Sequence, residues 1–230
     1  RLYGGTAMAI AIAVAEQATD RPALWCTVQF VSGESEVGDR LDVQVDVRAH
    51  GRRTSQFRVT GTRGDALVFD ALGAAGIPRE PAKEGFFAEM PAVLAPEECP
   101  GMAFPMGAPE GRPGFLRHME VRTAQSAPDG DGAYRLWSRV PGRPATAAMI
   151  GYLSDWVPSA VVQALGHRGG GTSLDNTVRL GWPTDEEWVL VDFDAHAARG
   201  GYGHGAAHLW SPSGTFLGTA SQTASLMFMG

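Results

Sequence analysis

The chain states one structural theme twice, and a duplication of this kind limits the fold more than any single motif does. Gly5 to Ala18 (GTAMAIAIAVAEQA) and Ala145 to Leu165 (ATAAMIGYLSDWVPSAVVQAL) are small-residue, helix-forming stretches, each followed by about four strand-like runs separated by turn residues. A sheet of that size has one apolar face that a single helix can cover, so each half reads as a helix packed on its own sheet. The halves differ in one chemical respect: only the second helix carries a carboxylate, Asp155, in the middle of its apolar run.

In the first half, Leu41, Val43, Val45 and Val47 alternate with Asp42, Gln44 and Asp46, the period-two pattern of a strand with one buried face. Ala23 to Val31, Thr54 to Gly61 and Ala66 to Leu72 read as its partners, joined by Gly33 to Gly38, His50-Gly51 and Arg63-Gly64-Asp65. From about Gly73 to Pro113 eight prolines fall among many glycines, which reads as a linker because proline blocks both helix and ladder hydrogen bonds. In the second half, strands are expected over Phe115 to Thr123 and Ala133 to Val140, then, after the helix, near Thr172 to Leu180, Glu187 to His196, Gly203 to Trp210 and Phe216 to Met227. Pro158 is expected to kink the second helix or end its straight portion one turn after Asp155. The resulting division is a first unit over residues 1–75, a linker over 76–113 and a second unit over 114–230. Because the chain opens at Arg1 almost directly in a helix, the first unit is expected to lack its first strands.

A content of 44% hydrophobic and 19% charged residues in 230 is enough for a sizeable core. No run approaches the roughly 18 uncharged apolar residues of a membrane span, nothing at the start resembles a secretion signal, and two cysteines, Cys26 and Cys99, fit a reducing compartment; the expectation is cytoplasmic. The net charge of -6 argues against a general nucleic-acid binder. Arg48, Arg52, Arg53, Arg58 and Arg63 cluster around one hairpin and read either as a solvated face or as a site for an anion such as a nucleotide phosphate.

Three positions stand out chemically. Asp155 sits among residues that belong in a core, where a desolvated carboxylate has a raised pKa and readily accepts a proton, and Gly151 one turn earlier would leave room beside it. Gln222 shares a strand face with Ala220, Ala224 and Leu226, so its amide is expected on the apolar side, able to donate to an oxyanion or to hold a water. The run Thr172-Ser173-Leu174-Asp175 offers two hydroxyls on opposite faces, and parity does not choose between them. Asp155 and Gln222 also have purely structural readings: a partner-bonded Asp beside a proline, and a buried amide bridging two backbones. His204 and His208 share a strand face but have no third ligand, and no P-loop, dinucleotide fingerprint or Gly-x-Ser-x-Gly elbow is present.

Arg1-Leu2-Tyr3-Gly4-Gly5, Gly151-Tyr152-Leu153-Ser154-Asp155, Leu174-Asp175-Asn176 and Thr219-Ala220-Ser221-Gln222 together resemble the acyl-CoA thioesterase II family, in the right order and over nearly the whole chain. The resemblance implies an α+β double hotdog fold, two fused units each wrapping a curved antiparallel sheet around a central helix. It further implies hydrolysis of acyl-CoA by a water held by an Asp, a hydroxyl and a Gln, here Asp155, Ser173 (with Thr172 as the alternative) and Gln222, with no cofactor or metal and with assembly into a homodimer or larger oligomer. Two departures accompany it: Ser173 stands where a member of the family has threonine, keeping the hydroxyl and losing a methyl, and Thr6 follows the glycines where the family often has glutamine, which gives no expectation for the start of the first helix. Trp25, Phe30, Tyr152, Trp156 and Phe228 are candidate walls for an acyl chain. The competing readings are a hydratase or dehydratase on the same fold, which would call for a histidine beside the acid, and a non-catalytic acyl-thioester binder.

Overall fold

The computed structural model describes residues 2–32, 38–102, 114–125 and 134–229. Alanine-rich α1 (Gly4–Thr19) buries Met8, Ile12, Ala15 and Thr19 along one stripe at helical spacing. It leads through Asp20, in the left-handed conformation, into β1 (Ala23–Phe30), β2 (Asp42–His50), β3 (Thr54–Arg63) and β4 (Ala66–Gly76). The second half supplies β5 (Glu120–Thr123), β6 (Arg135–Arg139), α2 (Ala147–Leu153), α3 (Val157–Ala164), β7 (Arg168–Ser173), β8 (Asp175–Leu180), β9 (Val189–Arg199), β10 (Tyr202–Trp210) and β11 (Phe216–Met229).

All these strands join one antiparallel sheet in the order β2-β3-β4-β1-β8-β11-β10-β9-β6-β5, with β7 also paired to β11. Counted from the outside inward, the first half runs β2-β3-β4-β1, and the strands after α3 repeat that order as β9-β10-β11-β8, with β6 and β5 added outside them. The equivalent strands β1 and β8 meet at the centre, Trp25 opposite Arg179 and Gln29 opposite Asp175. The duplication read from the sequence is therefore a pseudo-twofold repeat, and the fold is a double hotdog. One core serves both halves: Met8 and Ile12 of α1 and Leu153, Val157 and Val161 of α2 and α3 pack with Val28, Phe57, Phe69, Val178, Val191 and Leu209 of the sheet.

Four details differ from the sequence reading. Of the two outcomes expected of Pro158 the helix ends rather than kinks, but it does so before Asp155 and not after it. In an unbroken helix the ring of Pro158 would strike the carbonyl of Ser154, so α2 ends at Leu153 and Pro158 sits in the first turn of α3, where a missing N–H costs nothing. Gly151 makes room for α1 and not for Asp155: a Cβ there would stand 2.7 Å from Met8 Cγ and 2.9 Å from Ile12 Cδ1. The stretch near Thr172 to Leu180 is two strands that part at Leu174, whose N–H bonds Thr223 while its carbonyl accepts from Phe30. Phe115 lies in a 3-10 turn (Gly114–Arg117) ahead of β5, not in a strand.

The proline-rich crossing starts after Gly76, and its residues 103–113 lie outside the described ones, as do parts of the expected turn at Gly33 to Gly38 and the first residue of the strand expected from Ala133. The described part packs Met90, Val93, Leu94 and Cys99 onto a second small core of Trp137, Trp188 and Trp210, with Trp137 Nε1 donating to the carbonyl of Leu94 at 3.1 Å.

Candidate active site

The helix break places Asp155 at the meeting point of both halves. Residues 154–156 lie between α2 and α3, with Ser154 Oγ donating back to the carbonyl of Gly151 at 3.0 Å and accepting from Asn176 Nδ2 at 3.3 Å. This holds the turn while its carboxylate projects into a cavity of about 1120 Å³. Ser173, the last residue of β7, donates from Oγ to Asp155 Oδ1 at 3.1 Å. Gln222, 2% exposed on β11 as its parity required, donates from Nε2 to the same oxygen and lies 3.4 Å from Ser173 Oγ. The amide cannot turn freely, because Gln222 Oε1 accepts the backbone N–H of Val157 at 3.1 Å in the first turn of α3. The three positions singled out by sequence thus converge, and the hydroxyl bonded to Asp155 is that of Ser173; Thr172 also lines the cavity.

A fourth contributor was not foreseen. The backbone N–H of Gly5, in the first turn of α1, donates to Asp155 Oδ2 at 2.9 Å, so the first half's helix start closes the second half's site. This end of α1 can come so close only because it is glycine: a Cβ on Gly4 would stand 2.5 Å from Asp155 Oδ2, and one on Gly5 2.3 Å from the carbonyl oxygen of Tyr152. Tyr3 fixes the approach. Its ring stacks on Phe115 with centroids 4.1 Å apart, and its hydroxyl donates to the carbonyl of Tyr152 at 3.1 Å. The glycine pair after a tyrosine was the available signal, but a close approach between helices distant in sequence cannot be read from one of them. Gly5→Ala is therefore expected to push α1 off the break, costing about 1–3 kcal/mol of stability together with the bond to Asp155; denaturant melts of the variant beside the wild type measure it.

Burial pushes the Asp155 carboxyl above its ordinary value, against the pull of the Gln222 and Ser173 hydrogen bonds and of the Gly5 and Gly4 N–H groups. Burial, with Asp155 nearby, also raises Tyr3 well above its usual value, so that phenol stays neutral. The result is a carboxylate poised to take a proton, two side-chain donors aimed at the same point, and an apolar chamber beside them. Phe30 and Trp156 line that chamber as expected, joined by Phe69, Phe115 and Tyr134. Tyr152 instead meets the edge of Tyr3, and Phe228 packs on His167.

Of the hairpin arginines, Arg58 is tied to Asp70, Arg63 to Asp39 and Arg48 to Asp46, which favours the solvated-face reading over an anion site. No helix among the described residues is long and apolar enough to cross a membrane.

Residues 96–226 match the family model described as the acyl-CoA thioesterase C-terminal domain, and residues 1–76 the one described as the acyl-CoA thioesterase N-terminal domain. Among solved structures, a candidate thioesterase from Novosphingobium aromaticivorans is 33% identical, with a TM-score of 0.88 over 98% of this chain and 88% of that one. A hot dog fold protein from Alicyclobacillus acidocaldarius is 22% identical (TM-score 0.82, 99% of this chain, 88% of that one). An acyl-CoA thioesterase II from Mycobacterium marinum is 18% identical (TM-score 0.77, 99% and 90%). Among curated proteins, none matches the sequence.

Proposed function

Because this chain belongs to the acyl-CoA thioesterase family and is a thioester hydrolase, we propose that its substrate is a fatty acyl-coenzyme A and that Asp155, Ser173 and Gln222 jointly activate the attacking water. The observation that carries this reading is the convergence of the Ser173 hydroxyl and the Gln222 amide on one oxygen of a carboxylate raised by burial.

A water entering beside Asp155 gives one proton to the carboxylate, and the hydroxide so formed has three lone pairs. Two are held by Ser173 Oγ and Gln222 Nε2, and the third points at the thioester carbonyl. Val157 fixes the Gln222 amide and Gly5 the far carboxylate oxygen, so as charge moves only the Ser173 hydroxyl proton has to turn, from Asp155 Oδ1 to the hydroxide. The tetrahedral intermediate expels coenzyme A as a thiolate, a leaving group that needs little acid assistance. A cavity somewhat larger than the roughly 300–1,000 Å³ usual for small-molecule sites has room for an acyl chain together with part of the carrier.

Release of free coenzyme A from acyl-CoAs, short to long, tests this directly; a folded protein that releases none at any chain length would overturn it. The same assay carries a pH expectation. Asp155 works ionised and its pKa is raised, so the rate rises with pH through a value above the roughly 3.9 of an ordinary aspartate and is lost on the acid side of it. A profile flat down to pH 4 would remove Asp155 as the base.

A further inference from the structure

The stretch that carries Ser173 changes register beside Asp155. β8 pairs with β11 so that Val178 faces Ala220 and Thr177 faces Ser221, and that register continued would place Leu174 opposite Ala224. β7 places Ser173 there instead. Leu174 is thus an extra residue, two against one of β11, which is a β-bulge. A slip of one residue turns every side chain beyond it to the other face of a sheet. Asn176 and Val178 are buried while Thr177 bonds Thr27 on the opposite face, so unbroken alternation would send Ser173 the way of Thr177. The bulge brings it to the cavity, where it reaches Asp155.

Main-chain bonds hold the bulge on both sides: Leu174 donates to the carbonyl of Thr223 at 2.8 Å and accepts from the N–H of Phe30 at 2.9 Å. A side chain completes it. In the gap between the two ladders the N–H of Thr223 donates to Asp175 Oδ1 at 2.9 Å, a carboxylate oxygen standing where a strand carbonyl would. Thr223 follows Gln222 directly, and Asp175 lies just past the bulge from Ser173. One side chain therefore ties together the two backbones that carry the donors to Asp155. Asp175 is not among the described residues lining the cavity.

We propose that Asp175 is a positioning residue for the hydrolysis: from outside the cavity its carboxylate holds the bulge at Leu174, and the bulge aims Ser173 at Asp155 and keeps Gln222 alongside it. This rests on the mechanism given above and adds to it a residue that touches neither the water nor the substrate. Asp175 acts here as an acceptor, so the position of its oxygen matters and its charge does not. With that oxygen removed, the Thr223 N–H is left to draw a strand carbonyl. The register one residue away supplies one, and it turns Ser173 from Asp155.

The test follows acyl-CoA turnover against pH in the wild type, Asp175→Ala and Asp175→Asn. Asp175→Ala is expected to lower kcat about thirtyfold, somewhat less than the roughly 10² that a 1 Å misplacement can cost, with KM little changed. Its acid limb is expected at higher pH, because the Ser173 and Gln222 bonds hold the Asp155 carboxyl down. The Tyr3 and Tyr152 phenols on the neighbouring elements are raised by burial and stay neutral over that range, and His167 and Arg168 stand at the other end of β7. Asp175→Asn keeps an oxygen for Thr223 and is expected to keep both the rate and the profile. Should the alanine variant not fold, Asp175→Glu, with its acceptor one methylene further out, is expected to show smaller changes of the same sign. A wild-type rate and profile in the alanine or glutamate variant, a fall in rate with the acid limb unmoved, or an asparagine variant that falls as far as alanine each overturn the positioning role. Carbon-detected NMR titration of the Asp155 carboxyl in the same proteins needs no turnover: a value raised by Asp175→Ala and restored by Asp175→Asn, in a protein that releases no coenzyme A, would overturn the hydrolysis alone.

Discussion

Asp155→Asn is expected to lower acyl-CoA turnover by about 10³-fold, the usual contribution of a general base, and to leave a folded protein. The amide has the carboxylate's shape and keeps an oxygen for the Ser173 and Gln222 donors, but it takes no proton from water and turns its NH₂ toward the N–H of Gly5. Stability is pulled both ways. The lost Gly5 bond destabilises, while removal of a desolvated charge stabilises. Linkage gives the sign of the second effect. The Asp155 pKa is raised on folding, so the folded chain holds this proton more tightly than the unfolded one, and the stabilisation it brings is present below the ordinary carboxylate range and is lost as pH rises through the raised value. Activity rises over the same window, so this residue stabilises the fold most where the enzyme is inactive. Thermal melts of wild type and Asp155→Asn across pH, beside single-turnover rates, measure both; wild-type turnover in the variant would remove Asp155 from the mechanism.

Gln222→Glu is the second large effect, and it is more diagnostic than truncation. The new side chain still offers an oxygen to the Val157 N–H, so α3 keeps its anchor. It no longer donates to Asp155 or to a bound water, and it puts a second carboxylate against the first. Two carboxylates in contact share a proton, so the pair titrates with one value pushed up further. A fall of about 10²-fold in kcat, the cost of losing one preorganised donor, is expected together with an acid limb displaced to higher pH. Gln222→Ala loses the donor without adding a charge and should show the fall with a smaller displacement in the same direction, because the lost hydrogen bond itself holds the Asp155 pKa down. Equal pH profiles for the two variants would mean that Gln222 does not face Asp155 during turnover.

Much of this site was legible in the sequence because the signals were local. Strand alternation put Gln222 on the buried face of β11, and an acid in an apolar helical run marked Asp155. What was hidden depended on contacts between distant segments. The pattern Ala145 to Leu165 reads as one helix, and only the conflict between the Pro158 ring and the Ser154 carbonyl turns it into two with a carboxylate in the gap. Choosing Ser173 needed the bend at Leu174, which is set by Phe30 and Thr223 on flanking strands. The role of Gly4 and Gly5 needed α2 beside α1, and the sequence of either helix alone contains no such contact.

The unequal helices show what a fused pair of units permits. α1 runs unbroken from Gly4 to Thr19 and turns Met8 and Ile12 into the core, while its counterpart is split to present an acid, and α1 contributes a backbone N–H to that acid instead of an acid of its own. Two identical subunits related by a true twofold must repeat in one whatever the other does, so an improvement at one helix is imposed on both. Joining the copies in one polypeptide lifts that obligation. One half is thereby free to present the proposed acid and the other to hold it, and the site around Asp155 is complete only with both.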